Sequence, residues 1–549
     1  METTQQKKPL GELLKGKGLI TEGNIELALQ DQKITGERLG ETLERLAFVS
    51  EYDVATTIAE QEGRPYLDVD QAAPDEKTMR LFNMNLCLTN YFLPLRHDDA
   101  RIEVIAAADD MVALERLLTR LTGLQPVIYQ GEKGKIRNAI QHFFYFLENP
   151  VERLIERETQ LLATDVDDVR SLEPFIDHLF QLAVKHRTTD IHIRPMDRAI
   201  NIAFRVDGVM RPMFSLPPSL KRLISTFKMK ADMDIAEQRL PQDGSFSARI
   251  LNNPYDFRVS TTICPYGENM VLRLLPMSSN LMGMEQLGFE PEDVTLIQEL
   301  FSEPYGIVLL TGPTGSGKTT TLYAALRTLD LTEKNVITVE NPIEYRLPLV
   351  RQTEVNIKAG YNFANAVRYF LRHDPDVILV GEVRDAETAQ TAVSASETGH
   401  LVLSTLHTNT ALGALPRLRS LGIEPFMIGE SLVGVVSQRL VRRVCPNCRE
   451  EYEPTAQELE YLGESNIDKL YRGRGCDACQ HTGYLGRTLV YEVLRPNREL
   501  VSQIARDEHL DVLTETATAA GFRDIFTNAV AKVKRGDTSV AEMIRVLGH

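Results

Sequence analysis

Residues Gly312, Pro313, Thr314, Gly315, Ser316, Gly317, Lys318 and Thr319 fill every position of a phosphate-binding loop, and their flanks restrict the fold as much as the loop does. Ahead of them Gly306–Thr311 is an apolar run fit for a buried parallel strand; behind them Leu322, Leu326 and Leu329 recur at helical spacing. Glycines let backbone N–H groups turn inward around phosphate oxygens, and the helix N-terminus adds the positive end of its dipole. Lys318 is placed to reach the terminal phosphates and Thr319 to offer Mg²⁺ a hydroxyl, with Thr320 closing the nucleotide-binding stretch.

At 549 residues the chain is too long for one ordinary core, so three to four domains are expected. The hydrophobic content of 43% and the lack of any apolar run of about 20 residues describe a globular protein without a membrane span. Basic residues near Met1 precede no apolar segment, so no signal peptide is read and a cytoplasmic location is expected. A formal net charge of −16, without a long Lys/Arg stripe, argues against nucleic acid as the main partner.

The first 65 residues contain an internal repeat. Leu10, Gly11, Leu14, Ile20, Leu29 and Gln32 are matched 29 residues on by Leu39, Gly40, Leu43, Val49, Ile58 and Gln61, and each copy reads as helix, turn, helix. A small α/β segment closes this N-terminal region, residues 1–148. Residues 149–171 are charged and read as a helical or flexible linker; they include Glu152, Arg153, Asp165, Asp167 and Asp168. Residues 172–280 read as a compact α+β module with a turn at Asp207-Gly208, and residues 281–549 as the ATPase core, mostly helical after Cys479.

Two further strands carry acids at their ends. Val336–Glu340 leads into Asn341-Pro342-Ile343-Glu344, and Val377–Val380 into Gly381-Glu382. Ligands bind beyond the carboxyl ends of parallel strands, so both clusters should face the nucleotide. Glu382 suits a Mg²⁺-holding acid; Glu344 and Glu382 both suit the base that orients the attacking water. His400 and His407 bracket a third strand and are candidate γ-phosphate contacts. Cys445, Cys448, Cys476 and Cys479 form two C-x-x-C pairs 27 residues apart, four thiolates suited to a structural Zn²⁺, with a redox pair as the rival.

Taken in order, the loop, the 340–344 acidic box, the segment from Asp374 to Asp385 and the histidine box from Thr398 to Asn409 make the chain resemble the bacterial secretion and pilus-assembly ATPases of type II secretion and type IV pili. The resemblance covers nearly the whole chain. It implies an α/β fold with a RecA-like P-loop core, a small α+β domain before it, an N-terminal helical-repeat and α+β domain, and a zinc-binding insert at 445–479. It also implies a Mg²⁺-dependent ATPase that works as a homo-hexamer against an inner-membrane platform protein, assembling a pilus or pseudopilus. Arg258 and Arg273 match arginines that reach the phosphates when the second domain closes. The N-terminal repeat resembles a cyclic di-GMP-binding domain, but Pro9 stands where the first copy should carry arginine, and Ala47 replaces a glycine in the second copy, which keeps Arg38. Asn341 replaces an acid in the acidic box. The rivals are a pilus retraction ATPase, a nucleic acid translocase and a nucleotide-gated sensor without turnover.

Overall fold

The computed structural model describes residues 8–163, 171–277 and 282–548, and the chain divides into two compact units, Met1–Tyr66 with Asn280–His549, and Leu67–Ser279. The 1–148 region read from the sequence is therefore split. Its repeat belongs with the C-terminal half of the chain, and the part from Leu67 onward belongs with the α+β module.

The repeat forms four helices, α1 (Leu10–Gly16), α2 (Glu22–Thr35), α3 (Leu39–Arg45) and α4 (Glu51–Glu62). The second helix of each copy starts with a capping box, Thr21 with Asn24 and Ser50 with Asp53, which satisfies the first free N–H groups of the helix. The matched apolar positions Leu14 and Leu43, Ile20 and Val49 meet in one small core.

The second unit has two sheets. β1 (Phe92–His97), β2 (Arg101–Ala106) and β3 (Gln125–Gln130) form the first, with β2 antiparallel to β1 and parallel to β3. β4 (Thr188–Pro195), β5 (Ile200–Val206), β6 (Val209–Leu216), β7 (Gln242–Ile250), β8 (Asn253–Cys264) and β9 (Gly267–Pro276) form an antiparallel sheet in the order β6-β5-β4-β9-β8-β7. Asp207 and Gly208 both have positive φ, as a two-residue hairpin turn requires. Of the helical and flexible readings of the charged 149–171 stretch, its described part takes the helical one. It carries the helix Val151–Ala163, whose Val151, Ile155 and Leu162 are buried in the core beneath this sheet while its charges face outward. Asp165, Asp167 and Asp168 lie outside the described residues.

The core of the first unit is a seven-stranded sheet of β10 (Gly306–Thr311), β11 (Val336–Glu340), β12 (Arg351–Glu354), β13 (Val377–Val380), β14 (Leu401–Leu406), β15 (Leu432–Val444) and, after a small hairpin of β16 (Arg449–Tyr452) and β17 (Leu470–Gly473), β18 (Tyr484–Leu494). Its order is β12-β11-β13-β14-β10-β15-β18, parallel except for β18. β10, β13 and β14 are buried at every residue, because apolar clusters pack on both faces of the sheet. β18 adds a strand to the mostly helical segment after Cys479: nine of its eleven residues pair in register with β15, and four helices follow. Among the described residues no helix is long and apolar enough to cross a membrane.

Candidate active site

The phosphate loop leaves β10 at Thr311, and its helix, Lys318–Leu326, starts at the loop lysine. Gly312, Gly315 and Gly317 all have positive φ. At Gly312 a side chain is excluded twice over: φ is +140°, and a Cβ would sit 2.4 Å from the Gln438 carbonyl on β15. Pro313, Thr314, Gly315 and Thr319 are exposed, whereas Ser316 is buried and Lys318 is only 9% exposed. The Lys318 ammonium donates to the carbonyls of Gly312 and Pro313, at 2.8 and 3.1 Å. Burial pushes its pKa down to about 8, with the Glu382 carboxylate opposing the shift. Around the loop, the hydroxyls of Thr311, Ser316 and Thr321 and the Gln438 amide oxygen are buried without a hydrogen-bond partner. The three hydroxyls can donate to an anion, whereas the amide oxygen can only accept.

Glu382 lies where the strand direction predicts, beyond β13 at the edge that carries the loop. Its side chain is 14% exposed, 2.6 Å from Arg384 Nε and 3.7 Å from His407 Nε2. Burial and the Lys318 charge hold His407 below its ordinary pKa, against the pull of Glu382. Lys318, Glu382 and His407 therefore share one electrostatic environment, assembled from the ends of β10, β13 and β14. Gly381 permits this path, since its N–H donates to the Val339 carbonyl at 2.8 Å and a Cβ would come within 3.2 Å of the same oxygen.

His400 is at the other end. It precedes β14, its carbonyl accepts from the Gly306 N–H at the start of β10, and its ring Nδ1 lies 2.9 Å from the Ala395 carbonyl. Because β10 and β14 run parallel, a histidine before the strand stands a full strand length, about 20 Å, from the loop. His400 is thus corrected from a phosphate contact of its own site to a residue that closes the helix Ala386–Glu397 onto the strand.

The acidic box divides by burial. Glu340 is buried, and accepts from the Tyr323 hydroxyl, from Thr338 Oγ1 at 2.6 Å and from Gln352 Nε2 at 3.1 Å. Tyr323 belongs to the loop helix, so this carboxylate ties that helix to β11. Glu344 is exposed on the turn that follows, and its backbone N–H lies against the Tyr323 hydroxyl.

Gln438 opens the run Gln438-Arg439-Leu440-Val441-Arg442-Arg443, which also resembles the secretion and pilus-assembly ATPases, but neither its residue type nor its spacing points to a role at the loop. It is 0% exposed on β15, and its Nε2 donates to the Ser316 carbonyl at 2.7 Å, so it grips the loop from the neighbouring strand. No local pattern marks it, because the contact spans 122 residues.

In the second unit the two predicted arginines face each other in register across β8 and β9, and Asp190 stands opposite Arg273 across β4 and β9. Arg273 Nε donates to Asp190 at 2.9 Å, and Arg205 Nε lies 3.8 Å from the same carboxylate. Arg205, Asp190, Arg273 and Arg258 form one row across four strands, with Asp190 between Arg205 and Arg273 and Arg258 beyond Arg273.

The four cysteines converge between β15 and β18. Sγ separations are 3.8 Å for Cys445–Cys476, 3.8 Å for Cys448–Cys479 and 3.7 Å for Cys476–Cys479. A tetrahedron with Zn–S bonds of about 2.3 Å has edges of about 3.8 Å. Against burial, which raises it, the Cys479 pKa is held down to about 6 by the N–H groups of Cys476 and Gly483. A cluster of this shape with N–H groups aimed at sulfur fits a metal-bound thiolate set.

Residues 165–545 match the family model described as "Type II/IV secretion system protein", and residues 62–149 match the MshEN domain. The chain is 36% identical over 537 residues to the type IV pilus assembly ATPase PilB of Thermus thermophilus, covering 93% of this chain and 59% of that protein. It is 45% identical over 388 residues to the type II secretion system protein E of Aeromonas hydrophila, covering 70% of this chain and 77% of that protein. The Legionella pneumophila ATPase DotB shares the fold at a TM-score of 0.51 and 23% identity, covering 68% of this chain and 95% of that one.

Proposed function

The chain belongs to the type II/IV secretion system protein family, and from that premise we propose that it is an ATP-hydrolysing motor that drives pilus or pseudopilus assembly. The observation that carries this reading is the gathering of Lys318, Glu382 and His407 beyond the parallel strands, next to a loop shaped for phosphate.

In this reading the backbone N–H groups of Thr314 to Thr319 cradle the β- and γ-phosphates, and Lys318 leaves the loop carbonyls to pair with them. Thr319 and Glu382 would hold Mg²⁺, which supplies charge neutralisation between the phosphates. Glu382, with Glu344 as the alternative, orients the attacking water; Glu340 is too fully bonded to serve. His407 senses the state of Glu382 and of the terminal phosphate from the end of β14. Arg258 and Arg273 supply guanidinium charge when the second domain closes on the nucleotide, and Asp190 holds Arg273 ready in its rotamer.

The motor acts as a homo-hexamer beneath an inner-membrane platform protein, peripheral to the membrane on the cytoplasmic side. The tetracysteine cluster holds one structural Zn²⁺. Cyclic di-GMP is the candidate ligand of the repeat, through Arg38 at the start of α3, with Pro9 offering no matching guanidinium at α1. ATP turnover by wild-type protein, set against Lys318→Ala and Glu382→Gln, tests the assignment; undiminished turnover in either variant overturns it.

A further inference from the structure

The repeat and the segment that ends the loop helix are joined by contacts that the sequence does not suggest. Arg327 caps the C-terminal end of the loop helix. Its side chain is 5% exposed; Nε donates to the Ala47 carbonyl at 3.1 Å, and Nη2 lies 3.5 Å from Asp53 Oδ2. Three residues on, Asp330 accepts from Asn24 Nδ2 at 3.3 Å, and Gly23 comes close enough to Thr332 that a Cβ would sit 3.4 Å from its hydroxyl. Asn24 and Asp53 are equivalent positions of the two repeat copies, each the third residue of its helix and each part of its capping box. Both copies therefore place the same turn on one segment, 327–332, at the far end of the helix that starts with Lys318.

Ala47 supports the same conclusion. It has φ +60°, where the first copy has Gly18 at +71°, so an alanine accepts a backbone conformation that glycine would take without strain. Its side chain is buried in the apolar cluster that also holds Leu322 and Leu326 of the loop helix, and its carbonyl receives Arg327.

We propose that the repeat is a latch on the loop helix: the capping turns of α2 and α4 hold residues 327–332, so that seating of the repeat and occupancy of the phosphate loop are linked. This rests on the reading of that loop as the nucleotide site. The helix has nine residues and is buried along most of its length, so it moves as one rod with the loop at one end and Arg327 at the other. A buried guanidinium cannot stay where it is without its partners, so the latch is either seated or released. Linkage is reciprocal: what steadies the loop steadies the repeat, and release of the repeat weakens nucleotide binding.

The test is hydrogen exchange on the full chain with its metal, with and without ADP, alongside titration of a fluorescent ADP analogue. ADP is expected to slow exchange of residues 47–54 by about fivefold or more. Arg327→Met, which keeps the aliphatic stem, and Asn24→Ala are each expected to speed that exchange and to raise KM for ATP about fivefold while kcat stays within about twofold. Unchanged exchange at 47–54 in wild-type protein that demonstrably binds the analogue overturns the latch. So does a wild-type KM in both variants. Failure of the wild type to bind the analogue at all fells the nucleotide reading instead, and the latch with it.

Discussion

Gln438 Nε2 donates to the Ser316 carbonyl across 2.7 Å, from the middle of β15 into the phosphate loop. In a trans peptide the C=O and the following N–H point in opposite directions, so anchoring the Ser316 oxygen turns the Gly317 N–H away from β15, toward the side on which phosphate is held. Removing the donor leaves a buried carbonyl unpaired at a cost of about 1–3 kcal/mol. Gln438→Leu is accordingly expected to raise the Kd for ADP about tenfold or more, as measured with a fluorescent analogue. A fall in Tm without any change in Kd would reduce Gln438 to a packing residue of the sheet.

Lys318→Ala and Glu382→Gln should separate binding from turnover. The lysine variant loses the ammonium opposite the phosphates and is expected to bind nucleotide too weakly to saturate. Glu382→Gln keeps the shape but not the base, and is expected to bind ATP while turnover falls about 10²–10⁴-fold. Glu344→Gln is the comparison that identifies the base: whichever glutamine variant retains binding and loses turnover names it. Retained turnover in both would remove the two glutamates from the chemistry.

Nucleotide affinity should depend on pH through Lys318. Its pKa is depressed to about 8, so the ammonium is held at neutral pH and is lost as pH rises through that value. An adjacent phosphate favours the charged form and raises the pKa, so ADP binding just above pH 8 should take up a proton. Calorimetry with Mg-free ADP in two buffers of different ionisation heat reads this directly. Affinity that stays flat from neutral pH to well above 8, with no proton uptake, would contradict the desolvated environment described for Lys318.

The tetracysteine cluster should carry one zinc per chain by elemental analysis, and Cys448→Ser or Cys479→Ser should lose it. Because the cluster closes the excursion between β15 and β18, chelation is expected to lower the Tm of the first unit by several degrees. Protein from zinc-replete medium that carries no metal, with its four thiols titratable, would leave the thiol or redox reading in place.

The parts legible in the sequence were those whose physics is local. The loop, the buried runs of β10, β13 and β14, and the two cysteine pairs announce themselves by spacing or by unbroken apolar content. β18 escaped because Gly486 and Arg487 interrupt it and its pairing with β15 is set by tertiary contact. His400 misled because a histidine at each end of a strand looks symmetrical until the direction of the parallel sheet is known; only the carboxyl end faces the ligand. Val151, Ile155 and Leu162 do mark one helical face, but the surrounding charges obscured it. Gln438 and Arg327 had no local signature, since their partners lie 122 and 280 residues away.

The two halves of the internal duplication have ceased to be interchangeable. Asn24 brings an amide donor to the Asp330 carboxylate, while its counterpart Asp53 brings a carboxylate to the Arg327 guanidinium. Exchanging the copies would set acid against acid at one contact and leave a buried cation facing a neutral amide at the other. What began as a symmetrical pair of helical hairpins is now keyed like a plug with unequal pins, and it fits its socket one way round.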